Sequence, residues 1–215
     1  ADAYKKAVEL APQNANYRTT YGLILGMAGD LDAGLAELQK VTATPGYKDA
    51  AGWANLGWIY INTSKPTESI AAYQKALALD PKEEQAALGL GWAYQYTKEY
   101  DKAIAAYEQA MKIDPKDASA DANLGIAWCN FFKRQVPEAK AYAEKAAAAG
   151  RSVTQLKENI EKLEKAIASG ADLQARSEAA LVHAFGRMGR HYHRIAQALD
   201  DRPVESSRAR RSLSV

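Results

Sequence analysis

Apolar positions recur along this chain on two scales. Within a stretch they fall three and four residues apart, which is the spacing of one helix face. Between stretches the whole pattern returns after 34 residues: Leu56, Gly57, Tyr60, Tyr73, Ala76 and Pro81 become Leu90, Gly91, Tyr94, Tyr107, Ala110 and Pro115. A period of roughly 20 to 50 residues signals stacked units that share hydrophobic faces. The pattern predicts a helix A near Ala50–Asn62 and a helix B near Thr67–Leu79, with Pro66 closing helix A and Thr67 as N-cap of helix B. Asp80-Pro81 and Asp114-Pro115 end the B helices, because a residue before proline avoids the helical region. Gly29-Asp30 and Lys98-Glu99 occupy the matching turns inside repeats. Gly57, Gly91 and Gly125 fall inside A helices, where glycine costs about 1 kcal/mol relative to alanine. Close approach of helix B is the expected reason.

These residues resemble the tetratricopeptide repeat (TPR) family, whose pattern is an aromatic, Leu-Gly, Tyr, Ala, an aromatic, Ala and Pro. Residues 50–83 carry it as Trp53, Leu56, Gly57, Tyr60, Tyr73, Ala76 and Pro81, with Ser69 at the first alanine. Residues 84–117 carry it as Leu90, Gly91, Tyr94, Ala103, Tyr107, Ala110 and Pro115. Residues 15–49 are a weaker copy, with Tyr21, Gly22, Leu25 and Gly34. Residues 118–150 begin with Leu124, Gly125 and Trp128, then hold about two extra residues, placed in the turn Phe131–Val136, before Ala139 and Ala146. The resemblance implies an all-α, right-handed solenoid of helix-turn-helix repeats. It also implies a protein-interaction scaffold and no enzyme.

The ends read differently. Residues 1–14 have the phase of a second helix, with Tyr4, Ala7 and Pro12 matching Tyr73, Ala76 and Pro81, so a truncated preceding repeat is expected. Residues 151–170 read as a capping helix with the stripe Val153, Leu156, Ile160, Leu163 and Ile167, a capping box from Ser152 to Gln155, and Gly170 at its C-terminus. Residues 171–200 read as an Arg-rich amphipathic helix, and 201–215 as a disordered tail.

Composition changes this picture only locally. Net charge is +2 over 215 residues, so no global field points to nucleic acid. No apolar run is long enough to span a bilayer. Residues 171–215 hold 8 Arg, no Lys and 5 acidic residues, a local charge of +3. Cys129 is the single cysteine, so no intrachain disulfide is possible and the compartment stays unknown, with a cytoplasmic reading preferred to a periplasmic one. The Ala and Arg usage suggests a bacterial source.

In the TPR family a second stripe of helix A lines the concave groove that receives peptides. Here it comprises Leu23, Ala54, Trp58, Ile61, Asn62, Leu88, Trp92, Gln95, Tyr96, Ile126, Cys129 and Asn130. Trp58 and Trp92 are the expected anchors, since tryptophan is enriched among interface hot spots. The carboxylate-clamp members of the family use Asn at the position that Leu23, Trp58, Trp92 and Ile126 fill here. A peptide or amphipathic helix of a protein partner with an apolar side therefore fits better than a chaperone tail. The bland alternative is that the tryptophans are covered within the molecule.

Two other functions stay open. The chain can self-assemble as a homo-oligomer, or bind a polyanion through Arg187, Arg190, Arg194, Arg208, Arg210 and Arg211. His183, His191 and His193 have no acidic or cysteine ligand at metal-binding spacing, so neither a metal nor a cofactor is expected. No nucleophile–base pair and no phosphate-binding loop is visible.

Overall fold

The computed structural model of the protein describes residues 1–116 and 118–175. Among them are ten helices and no strand: α1 (Asp2–Leu10), α2 (Ala15–Met27), α3 (Leu31–Thr42), α4 (Ala50–Asn62), α5 (Pro66–Leu79), α6 (Glu84–Tyr96), α7 (Tyr100–Ile113), α8 (Ala118–Phe132), α9 (Val136–Ala148) and α10 (Thr154–Ala175). The chain divides into two compact units, Ala1–Ile160 and Glu161–Val215. The repeats lie in the first. The second is described only where α10 continues from Glu161 to Ala175. The expected Arg-rich helix, the tail, the six arginines and the three histidines lie outside the described residues.

Each helix from α1 to α8 packs on the next, and the A helices α2, α4, α6 and α8 also touch one another in order. This is the layering of an all-α TPR solenoid. Its tightest joints are built by glycine. The Tyr73 ring from α5 lies between Gly57 of its own repeat and Gly89 of the next. A Cβ at Gly89 would stand 2.2 Å from Tyr73 Cζ, and one at Gly57 2.8 Å from Cδ1. Tyr107 repeats the arrangement between Gly91 and Gly125. The expected close approach of helix B is therefore half of the account. Gly89 and Gly125 are notched for the same ring from the other side. Ser69, at the alanine position, is fully buried and donates its Oγ–H to the Gly57 carbonyl at 2.8 Å.

Turns repeat as faithfully as cores. Gly29, Ser64, Lys98 and Arg134 all adopt positive φ, between 57° and 95°, one per repeat. The following amide of Asp30, Lys65, Glu99 or Gln135 reaches back to Leu25, Tyr60, Tyr94 or Asn130 at 2.8–3.0 Å. That closure satisfies a carbonyl at the end of each A helix, and glycine adopts it most cheaply. The Asp80 and Asp114 carboxylates accept the amides of Lys82 and Lys116, fixing the turns between repeats.

Several local expectations change. Helix α5 begins at Pro66 with Lys65 as N-cap, so Thr67 is inside the helix and Pro66 opens it. Proline suits a first turn because its missing amide has no partner there. The extra residues of the fourth repeat are not a longer turn. They extend α8 to 15 residues, against 13 in α4 and α6, and place Phe131 and Phe132 on its last turn. Helix α10 starts at Thr154, so Ser152 is outside it and no capping box forms with Gln155, whose amide turns to Glu158 and Asn159. Val153 is buried, and its carbonyl accepts the Lys157 amide. The helix runs through Gly170 to Ala175, so Gly170 does not cap it.

Candidate interaction surface

Helices α2, α4 and α6 bring five of the twelve stripe residues around one pocket. Leu23, Ala54, Trp58, Leu88 and Trp92 line it together with Met27, Asn55, Tyr73 and Gln85, enclosing about 390 Å³. Trp58 is half-buried. Its ring passes over Gly26 of α2, where a Cβ would meet Trp58 Cζ3 at 3.0 Å. Trp58 also packs against the core cluster of Leu35, Leu38, Leu56, Ile59 and Ala72. Trp92 is freer, with 41% of its surface exposed. Ala54 is 2% exposed and forms floor rather than wall. No charged side chain lines this pocket. Besides the two indole N–H groups, its polar groups are the Asn55 and Gln85 amides and the Tyr73 phenol, whose burial holds its pKa well above the usual tyrosine value.

Four residues there escaped the sequence reading. Met27 was legible, since it lies four residues after Leu23 on the same face. Gln85 precedes Leu88 by three and was equally accessible to that argument. Asn55 precedes Trp58 by three and was accessible in the same way. Tyr73 comes from helix B, and nothing in the helix A stripe points to it.

Gln95 and Tyr96 fall at a second pocket of about 380 Å³, with Trp92, Lys98, Tyr100 and Phe132. Gln95 Oε1 accepts the Tyr107 hydroxyl at 2.8 Å. Ile61 packs with the core around Tyr73 and Leu90. Asn62 is exposed and donates its Nδ2–H to the Trp58 carbonyl at 2.7 Å.

The fourth repeat breaks the stripe. Ile126 and Cys129 are fully buried and Asn130 is 5% exposed, so none of the three offers a surface to a partner. Ile126 and Cys129 pack in one cluster with Ala103, Tyr107 and Ala122, flanked by Leu88 and Tyr100. Asn130 turns its Nδ2–H onto the Ile126 carbonyl. Burial pushes the Cys129 thiol up to about 12, so it stays protonated and unreactive at neutral pH. Among the described residues no three His, Cys, Asp or Glu side chains gather as metal ligands, and no helix is long and apolar enough to cross a membrane.

Family models described as tetratricopeptide repeat match residues 22–84, 54–118 and 96–160. The chain belongs to the tetratricopeptide repeat family. Solved structures agree. One described as the crystal structure of MamA is 28% identical, with a TM-score of 0.61, over 69% of this chain and 85% of that one. Pseudomonas aeruginosa pilF is 16% identical at a TM-score of 0.62, covering 91% and 86% of the two chains. YrrB, described as a TPR protein with an unusual peptide-binding site, is 18% identical at 0.59, covering 75% and 80%. The last two show the fold alone.

A different likeness accompanies the TPR repeats. A 47-residue stretch is 47% identical to DNA polymerase IV of Akkermansia muciniphila, covering 22% of this chain and 13% of the polymerase. A 50-residue stretch is 46% identical to DNA polymerase IV of Leptospira interrogans, covering 23% and 14%. The chain thus spans about one-seventh of the length of these curated relatives. Outside the residues matched by the repeat models, only 161–215 is long enough to hold such a stretch.

Proposed function

We propose that this TPR protein is an interaction scaffold whose first pocket receives an apolar segment of a partner protein, with Trp58 and Trp92 as anchors. One observation carries the reading. Three successive A helices place Leu23, Met27, Trp58, Leu88 and Trp92 around a single uncharged pocket. Contiguous apolar surface of this kind on a protein marks an interaction site more often than chance exposure does. The Asn55 and Gln85 amides offer a bound backbone both donors and acceptors. Paired substitution Trp58→Ala and Trp92→Ala removes both anchors, and each typically contributes about 2 kcal/mol in an interface. Proteins retained by the immobilised chain are to be identified and compared with those retained by the double variant. Loss of specific partners by a variant with unchanged helix content supports the pocket. Full retention by that folded variant sinks it.

The polymerase likeness favours a second activity beside the first. Residues 161–215 have room for the matched stretch, and the Arg-rich part from 171 onward carries a charge of +3. They serve in this reading as a nucleic-acid contact, which revises the expectation drawn from net charge. Polymerase activity does not follow from one-seventh of a polymerase. A triple variant Arg208→Gln, Arg210→Gln and Arg211→Gln is expected to weaken duplex DNA binding and flatten its salt dependence. Salt-insensitive binding, or none by the parent chain, removes this reading.

A further inference from the structure

The second pocket stands apart from the first, sharing only Trp92, and the fourth repeat's departure from the family pattern builds it. The 13-residue A helices end four residues after their groove tryptophans, at Asn62 and Tyr96. Helix α8 runs two residues further, and its last residue is Phe132. The Phe132 ring stacks on Tyr100 of α7 at 5.4 Å and 16°, and on Trp128 at 5.8 Å and 27°. Two flat partners hold it, so it forms a rigid wall. Trp92 and Tyr96, one turn apart on α6, form the other, and Tyr96 is 59% exposed.

The polar groups of this pocket are biased. Gln95 has its Oε1 committed to the Tyr107 hydroxyl, which leaves its Nε2–H donors for the pocket. Trp92 Nε1 and the Lys98 ammonium are donors only, while the Tyr96 and Tyr100 hydroxyls donate or accept. Lys98 is exposed, is fixed in the turn at φ 65°, and has no carboxylate partner among the described residues. The neighbouring carboxylates are already engaged, Glu99 by Lys102 and Asp101 by Lys133. No Asp or Glu lines the pocket. Its walls therefore ask for flat apolar rings, and its surplus of donors for a ligand rich in acceptors.

A proline-rich segment has that chemistry. Each proline offers a carbonyl and no amide hydrogen. Its polyproline II conformation is formed before binding, so little order is lost on docking in an aromatic-lined groove. The uncompensated charge of Lys98 adds a preference for an acidic residue beside the prolines. We propose that the pocket of Trp92, Gln95, Tyr96, Lys98, Tyr100 and Phe132 is a docking site for a proline-rich segment flanked by an acidic residue.

The test uses the full chain and a fluorescein-labelled peptide of two aspartates followed by ten prolines, read by anisotropy. Saturable binding is expected, about tenfold weaker in Tyr96→Ala. Gln95→Glu keeps an oxygen for Tyr107 but replaces the donor with a negative charge, so binding weakens while the melting temperature holds. Lys98→Asn, which tolerates the turn, removes only the advantage over a decaproline without aspartates. Trp58→Ala leaves binding unchanged. Absence of saturable binding overturns the proposal, as does binding indifferent to both Tyr96→Ala and Gln95→Glu. Binding that follows Trp58 instead of Tyr96 overturns it too, while leaving the first pocket's role intact. Tighter binding of a labelled amphipathic Leu/Lys helix, sensitive to Tyr96→Ala, makes this a helix site and overturns the proline assignment.

Discussion

Trp92 in the third repeat and Ile126 in the fourth hold the same register, 34 residues apart, yet one is 41% exposed and the other fully buried. Around Trp92 the chain leaves two pockets. Around Ile126 it closes Cys129, Ala122 and Tyr107 into a core. Register in a repeat decides which side of a helix a residue takes. The neighbouring helices decide whether that side stays open.

The comparison breaks most simply by truncation. Ile126→Ala removes a buried side chain and leaves a cavity, which costs about 2–5 kcal/mol. Trp92→Ala, at an open position, is expected to cost well under half of that. Urea unfolding monitored by circular dichroism measures both. Equal losses would mean that the fourth repeat is as open as the third.

Next in size is the glycine notch. A Cβ at Gly91 would lie 2.5 Å from the Tyr107 ring, which Gly125 holds from the other side. Gly91→Ala gains about 1 kcal/mol of helix propensity but overpacks a ring that cannot retreat, at a cost of about 1–3 kcal/mol. Net destabilisation is expected. A stabilised Gly91→Ala variant would show that Tyr107 moves freely, and the joint between the third and fourth repeats would lose its explanation.

Much of this architecture was legible from sequence, and the misses share a cause. Helix α4 spans Ala50–Asn62 as the periodicity predicts, because Trp53, Leu56, Gly57 and Tyr60 mark a single face. Leu23, Trp58, Leu88 and Trp92 meet at one pocket because they share a second face. What failed depends on neighbours in space. Ile126, Cys129 and Asn130 carry the stripe's register but lie under cover. The second glycine against Tyr73 belongs to the next repeat, so a reading within one repeat sees only Gly57. The added Phe131-Phe132 looked like turn because the helical stripe ends at Asn130. The chain continues the helix since Phe132 finds Tyr100 and Trp128 to stack on.

Alkaline pH separates the closed repeat from the open one in another way. The buried Cys129 thiol has its pKa pushed up to about 12, against about 8.5 for an unfolded cysteine. Below pH about 8.5 both states keep the proton and pH has no leverage here. Above it the unfolded chain releases the proton and the native chain does not, so stability falls as pH rises toward about 12. Tyr107, raised by burial, adds to the decline from about pH 10. Cys129→Ala is expected to move the onset of the decline from about pH 8.5 to about pH 10. An onset unchanged by the substitution would show that Cys129 ionises freely in the folded chain.

The smallest effect concerns the turn that all four repeats share. Gly29 meets its positive φ without penalty, whereas Ser64, Lys98 and Arg134 carry side chains there. A left-handed conformation costs a non-glycine residue about 1–2 kcal/mol. Glycine raises the entropy of the unfolded chain, which returns about 0.4–1 kcal/mol of that advantage. Lys98→Gly should therefore stabilise the chain by roughly 0.5 kcal/mol or more, and Gly29→Lys should destabilise it by a similar amount. Thermal melts of the two variants check the pair together. Destabilisation by Lys98→Gly would mean that the lysine side chain makes a stabilising contact of its own in the third repeat, and the equivalence of the four turns would fail where the second pocket begins.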